Sequence, residues 1–464
     1  MEVAVGSSWN GEGTILIGSG GNGPVARLSS LDGTTAPVTQ PDPESGFTGD
    51  LMPWFLPDGR RFLYLRRSPK LERRGIYAGS IDVAPANQDL RQIVATPLGA
   101  IYVPANAGSG GGYLVFQRER TLLAQPFDAA RLRLSGEAVR LADGVGYRLD
   151  SGFFAATPDV LVYRGDANPL VQLTWFGPDG KAVGVAGEPF EHLSTIGGVS
   201  IAPDGTRAAV LRIEQEHRDV WIVDFVRGAS ARLTLKGNVR APVWSPDGSQ
   251  VVFWSGRDAT GLYRKRADGS EEEEQMMASL KPANPTSWSP DGRFVLFDIR
   301  DRNNSMDMWI LSTGDRKPRL LLATDFNEGQ GVFSPDGRWI AYLSNESGKE
   351  QVYVRGFRPD GSLEGKWLVS RGARSVSPRW RPDSKGLLYL SDDLHWMSVA
   401  LSASGPGSLQ AGPPAAFGEL PPDSALGAFA PDGRRMLVPV TMSTAETAPF
   451  TVVVNWQSGL AAAR

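Results

Sequence analysis

A turn that recurs from one end of the chain to the other constrains the fold more than any other feature. Its sharpest copy is Pro242-Val243-Trp244-Ser245-Pro246-Asp247-Gly248. The Pro presets φ for a tight turn, the Asp side chain can accept hydrogen bonds from the backbone just beyond it, and the Gly takes a left-handed conformation that a Cβ penalises. Val243 and Trp244 precede the turn, and Val251, Val252 and Phe253 follow it. Each copy therefore predicts two antiparallel strands joined by a hairpin.

The Asp of successive copies falls at Asp159, Asp204, Asp247, Asp291, Asp336, Asp383 and Asp432, with steps of 45, 43, 44, 45, 47 and 49 residues. Asp58 carries the same turn upstream, and weaker copies lie at Trp9-Asn10-Gly11 and Gly110-Gly111-Gly112. A period of roughly 40 to 50 residues holding about four short strands is that of a propeller blade. The expected fold is all-β, a β-propeller of about ten four-stranded blades. Asp58, Asp204, Asp247, Asp291, Asp336 and Asp432 are assigned as structural turn residues.

Spacing also suggests domains. The copies from Asp204 to Asp432 are sharp and even, and six blades can close a ring. Residues 166–464 are thus expected to form a six-bladed propeller, and 1–165 an incomplete set of blades; one large ring is the alternative. The last copy offers three strands, the third over 451–456. A strand from 173–176 or 181–185 is expected to complete that blade, because an open edge is an aggregation liability.

Charge is nearly balanced, with 48 basic and 51 acidic residues, so no basic surface points to nucleic acid. There is no Cys, which excludes disulfides and thiolate zinc sites. Met1 is not followed by a basic and then an apolar segment, and no apolar run approaches the ~18 residues of a membrane span. The chain reads as soluble, without membrane insertion of its own. Gly18-Ser19-Gly20-Gly21-Asn22-Gly23 has the spacing of a dinucleotide fingerprint, but Pro24 and a strand-like run follow where a helix is required. No cofactor is expected.

Catalytic patterns fail at their second residue. Glu216-His217-Arg218-Asp219 imitates a kinase catalytic loop, yet position 224 is Asp, no glycine-rich loop precedes it and no Asp-Phe-Gly follows. The loop reading places His217 to Asp219 before a third strand. No Gly-x-Ser-x-Gly elbow exists, and His192, His217 and His395 are isolated. Asp301, Asn303, Ser305 and Asp307 alternate as in half of a calcium loop, but Met306 and Ser312 stand where Gly and an acid are needed, so a polar loop without metal is expected. The acidic run 271–274 reads as a solvated blade edge. Trp221, Trp309 and Trp396 on third strands, with Trp244, Trp288 and Trp380 before turns, read as core. The chain is read as non-enzymatic.

In a propeller, the loops from each outer strand to the next inner strand gather around one mouth of the ring. Those loops hold His192, Asn238, Arg240, Asn284, Asn327, Glu328 and Arg374, the candidate ligand-binding residues.

The hairpins Ser289-Pro290-Asp291-Gly292-Arg293 and Ser334-Pro335-Asp336-Gly337-Arg338 resemble TolB-type propeller repeats, relatives of tryptophan-aspartate repeats. Gln172-Leu173-Thr174-Trp175-Phe176, Asp219-Val220-Trp221-Ile222-Val223-Asp224, Phe326-Asn327-Glu328-Gly329, Arg338-Trp339-Ile340-Ala341-Tyr342, Gln351-Val352-Tyr353-Val354-Arg355 and Val452-Val453-Val454-Asn455-Trp456 resemble, more closely, the C-terminal propeller region of membrane-anchored bacterial serine/threonine kinases, the kind abundant in acidobacteria. The resemblance spans essentially the whole chain. It implies a kinase domain, a membrane helix and then a propeller outside the membrane, with about two more blades than are found here. It implies a non-catalytic, extracytoplasmic sensor or interaction region that takes a protein or small-molecule ligand on the propeller face. A free-standing TolB-like envelope scaffold and a propeller accessory domain of a prolyl-oligopeptidase-like hydrolase are the alternatives.

Overall fold

A computed structural model describes the chain except for residues 1–3, 20–22, 41–48, 69–70, 107–110, 149, 166–169, 192–197, 215–216, 236, 257–258, 280, 301–304, 373, 394, 406–407, 420–426, 443–448 and 462–464. The described residues are almost all strand and form ten principal antiparallel sheets, in two compact units. The first unit is Met1–Asn168 with Thr444–Arg464, and the second is Pro169–Ser443.

The turns explain the hairpins. Gly59, Gly205, Gly248, Gly292, Gly337 and Gly433 hold φ between +66° and +75°. In each turn the preceding Asp accepts the backbone N–H two residues on, as Asp247 Oδ1 does from Ser249 at 3.0 Å and Asp336 Oδ1 from Arg338 at 3.1 Å. Ser245, Ser289 and Ser334 add a second clamp, each donating its hydroxyl to that Asp and accepting the N–H five residues on.

In the second unit, five sheets follow chain order from Val199–Ile201 to Ala415–Glu419. The sixth combines both ends of the unit, with Ala428–Phe429 and Met436–Thr441 inside and Leu170–Phe176 and Ala182–Glu191 outside. Two strands are thus donated from the start of the unit, where one was expected. Leu173 pairs with Pro439 and Phe176 with Met436 across this closure.

Packing closes the ring. The second strand of each sheet is an unbroken apolar run because both of its faces are covered, as in Val251-Val252-Phe253-Trp254. Val251 and Phe253 pack toward Leu211 and Ile222 of the preceding sheet, while Val252 and Trp254 pack toward Val295 and Phe297 of the next. The same alternation continues until Leu388 and Trp396 meet Met436 and Val438, and Leu437 meets Val210. The inner strands are neighbours in sequence around an axis, and Ala428–Phe429 returns to Val199–Ile201.

The first unit stacks four sheets in a row. Leu16 meets Phe62 and Tyr64, Leu63 and Leu65 meet Leu114 and Phe116, and Val115 and Leu122 meet Leu161 and Trp456. The fourth sheet has three strands: Phe154–Ala156, Val160–Arg164 and Phe450–Val454. This corrects the placement of 451–456 in the last blade of the second propeller. Leu170–Phe176 occupies that edge of Met436–Thr441, so the C-terminal strand pairs with Val160–Arg164. The helix Gln457–Ala461 caps it, and Gln457 donates to Pro104 O and accepts from Asn106 N. On the outward face of this sheet the cross-strand pairs are Val160 with Val454, Val162 with Val452 and Arg164 with Phe450. Phe450, Val452 and Val454 are each more than half exposed.

Candidate functional site

The inner strands of the second unit are kinked where they pass the axis. Val239–Trp244, Ala283–Trp288, Glu328–Phe333 and Ser375–Trp380 each break register in mid-strand. Ala241, Gln330 and Ser377 hold φ of +50°, +54° and +53° at three of these breaks. A bulge frees backbone groups from the ladder, and buried ones need other partners. Side chains from the preceding sheet supply them. Asp298 Oδ2 accepts the Gln330 N–H at 2.7 Å, and Gln330 Oε1 accepts the Ser377 N–H at 3.0 Å.

That chain of clamps leaves polar capacity unspent. Asp298 pairs across the strands with Asn284. Asp298 Oδ1, Asn284 Oδ1, Thr286 Oγ1 and Ser377 Oγ are buried with no hydrogen-bond partner among the described residues. Burial pushes the Asp298 carboxyl up to about 7, and the Gln330 N–H offsets only part of that. An uncharged acid here can donate a proton where a carboxylate can only accept.

The sequence candidates divide in this geometry. Asn284 joins the axial cluster. Arg240, at the equivalent position of the neighbouring sheet, lays its guanidinium 4.8 Å from the Trp254 ring centroid. Asn238, at φ +55°, donates to Gly256 O within its own sheet. Asn327 Oδ1 accepts the Met306 N–H, and its own N–H goes to Asn345, so it ties strands together. Arg374 is exposed and paired with Glu350. His192 lies outside the described residues, as do Asp301 and Asn303 of the calcium-like run. Thr286, Asp298, Gln330 and Ser377 were missed because each is an ordinary polar strand residue until the bulges link the last three across successive sheets and leave Thr286 Oγ1 buried and unpaired among the described residues.

Glu328 belongs to a second place. A cavity of about 190 Å³ lies on the face of the sheet that begins with Glu328–Phe333, lined by Leu322, Thr324, Glu328, Tyr342, Arg355 and Lys366. Glu328 is buried and its carboxylate accepts from the Thr324 N–H, the Thr324 hydroxyl and the Ser344 hydroxyl. Burial nevertheless holds its pKa above the ordinary value, against those donors. Lys366 Nζ pairs with Glu346 at 2.8 Å at the rim. Arg355 donates Nε to Gly365 O at 2.7 Å, and no carboxylate pairs with it among the described residues.

The kinase-like residues have structural employment. His217 to Asp219 open the strand His217–Asp224 itself, one step later than the loop expected. Asp219 is buried and accepts from Arg232, the Thr234 hydroxyl and the Gly237 N–H. His395 Nδ1 lies 3.2 Å from Asp393. Glu274, at the end of the acidic run, pairs with Arg264 and Arg316 on the surface. Among the described residues no three His, Asp or Glu gather to hold a metal, and no helix is long and apolar enough to cross a membrane. Of the tryptophans, Trp244 donates Nε1 to Ser200 O and Trp380 to Val332 O, each in the preceding inner strand region.

No family model matches the chain. It is 28% identical over 189 residues to the uncharacterized peptidase YuxL of Bacillus subtilis, covering 31% of this chain and 28% of that protein. It is 32% identical over 125 residues to the Tol-Pal system protein TolB of Anaeromyxobacter dehalogenans, covering 27% of each. The chain thus spans little more than a quarter of either relative. Among solved structures, a putative TolB from Agrobacterium tumefaciens aligns with a TM-score of 0.44 at 18% identity, over 59% of this chain and 98% of that one. The periplasmic gluconolactonase PpgL of Pseudomonas aeruginosa aligns with a TM-score of 0.40 at 17% identity, over 68% and 95%. The propeller repeats are TolB-like over the matched stretch.

Proposed function

We propose that this chain is a non-catalytic recognition propeller, the extracytoplasmic sensor or interaction region of a receptor-type serine/threonine kinase. The observation that carries the binding part is the axial cluster, where the linked residues Asp298, Gln330 and Ser377 join three successive sheets and the side-chain oxygens of Asn284, Thr286, Asp298 and Ser377 stay buried and unpaired among the described residues. Such atoms cost free energy unless a ligand or water satisfies them. The protein or small-molecule partner would approach that mouth past Asn238 and Arg240, and His192 is kept as a proposed contact residue.

The kinase part draws on the repeat resemblance and on the first unit. Its fourth sheet turns Val160, Val162, Phe450, Val452 and Val454 outward, the surface an interior blade presents to its neighbour. Further blades of the same protein would cover it. The test is the reading frame immediately upstream of Met1. Two further blades, an apolar span and a kinase domain in that frame support the proposal; a stop codon and ribosome-binding site just before Met1 replace it with a free-standing envelope scaffold of TolB type. A peptidase accessory domain is the second reading, favoured by the similarity to YuxL, and it requires a hydrolase domain in the same frame.

A further inference from the structure

We propose that the cavity on the face of the sheet beginning with Glu328–Phe333 binds a carboxylate group, held between the Arg355 guanidinium and the Tyr342 hydroxyl. The inference rests on the recognition reading of the second unit and names a ligand class for a site away from the axial cluster.

The charges lining the cavity decide its sign. Glu346 is matched by Lys366, and Glu328 by Thr324 and Ser344, so neither asks for a cation. Arg355 is left without an acidic partner among the described residues, with only its Nε committed to Gly365 O. Tyr342 is 1% exposed, lines the cavity and has no hydrogen-bond partner for its hydroxyl among the described residues. Its ring packs tilted on Tyr353, 5.9 Å between centroids, and borders the same space as Arg355. A guanidinium fork and a phenol are donors, and a planar carboxylate matches them.

Size and nearby acids narrow the class. About 190 Å³ leaves room for a carboxylate and a few attached heavy atoms. Glu328 and Glu346 border the cavity beside Arg355 and Lys366, so its lining offers little net positive charge to a multiply charged anion such as phosphate. Leu322 and the Tyr342 ring offer an apolar wall to the ligand's carbon skeleton. A free small carboxylic acid and the C-terminal carboxyl of a peptide share this chemistry.

Isothermal titration of the full chain with N-acetylalanine, with trialanine and with trialanine amide tests the proposal. Saturable binding of at least one acid, and at least tenfold weaker binding of the amide, is expected. Preference for N-acetylalanine identifies a free acid as the ligand, and preference for trialanine a peptide terminus. Arg355→Gln is expected to weaken the acid at least tenfold. Tyr342→Phe keeps the ring packing and is expected to weaken it about fivefold, the loss of one hydrogen bond of about 1 kcal/mol, with an unchanged melting temperature. No saturable binding of either acid at millimolar concentration overturns the proposal, as does equal binding of acid and amide or an unaffected Arg355→Gln variant. The upstream frame is independent of these titrations, so either proposal can fail alone.

Discussion

The backbone N–H of Gln330 donates to Asp298 Oδ2 at 2.7 Å, joining the bulge of one inner strand to a carboxyl of the preceding sheet. The bond satisfies a donor that the left-handed turn at Gln330 removes from its own ladder. It also explains why an acid is retained in a position where burial opposes its charge.

The Asp298 carboxyl titrates near 7 in the folded chain against an ordinary value of 3.8. The folded state therefore binds the proton more tightly, and this contribution to stability is fully present below about pH 4 and lost as pH rises through 7, with an upper bound on the order of 4 kcal/mol. Asp298→Asn should flatten the fall in melting temperature between pH 5 and 8. An unchanged pH slope in the variant would show that Asp298 is ionised throughout.

Gly248 stands at φ +68° in its turn, and the nearest atoms to an added Cβ lie 3.7 Å away. Space is sufficient and only backbone strain opposes a side chain. Gly248→Ala is expected to cost about 1 to 2 kcal/mol in denaturant unfolding. A neutral result would mean that the turn relaxes to another type.

Trp456 is buried against Tyr113 and donates Nε1 to Thr157 O at 2.8 Å, so it anchors the C-terminal strand in the first unit. Trp456→Ala is expected to lower the stability of that unit by about 3 to 5 kcal/mol. Hydrogen exchange should then accelerate over 101–164 and stay unchanged at Val251 to Trp254. Acceleration in the second unit instead would return the strand 450–454 to the last blade of the other ring.

Asp219 accepts from Thr234 Oγ1 at 2.6 Å and from the Gly237 N–H at 3.1 Å, besides Arg232. Removing it orphans three donors in a buried place. Asp219→Ala is expected to destabilise the second unit by about 3 to 5 kcal/mol. The chain and the variant are both expected to leave the γ-phosphate of ATP untransferred to a serine/threonine substrate; transfer by the parent that the variant loses would restore a kinase role to Asp219.

Much of the architecture is legible without coordinates because a hairpin is a local object. In Ser245-Pro246-Asp247-Gly248 the bonds made by the Ser and Asp side chains span five residues or fewer, so a short local stretch specifies the turn and its spacing specifies one sheet per repeat. Continuous apolar runs such as Phe62-Leu63-Tyr64-Leu65 mark second strands for the same local reason. The assignment of 451–456 failed because it turned on a competition. Leu170–Phe176 and Phe450–Val454 are both apolar strands of suitable length, and only the folded chain shows which one pairs with Met436–Thr441.

Sites were legible in proportion to how local they are. Asn284 and Glu328 stood out as polar residues in inter-sheet loops, yet the residues that give them context lie far away in sequence. Tyr342, Arg355 and Lys366 come from three different strands and look singly like core, edge and solvated surface. The sequence alone determined an all-β chain of repeated hairpins, because turn chemistry and strand periodicity are set by residues within a few positions of one another. The tertiary structure decided which strands close the ring of the second unit, which sheet receives the strand Phe450–Val454 and which buried polar atoms are left unpaired among the described residues. Those outcomes depend on pairing and packing between segments as much as 353 residues apart, as in the bond from Gln457 to Pro104, and no local rule ranks them.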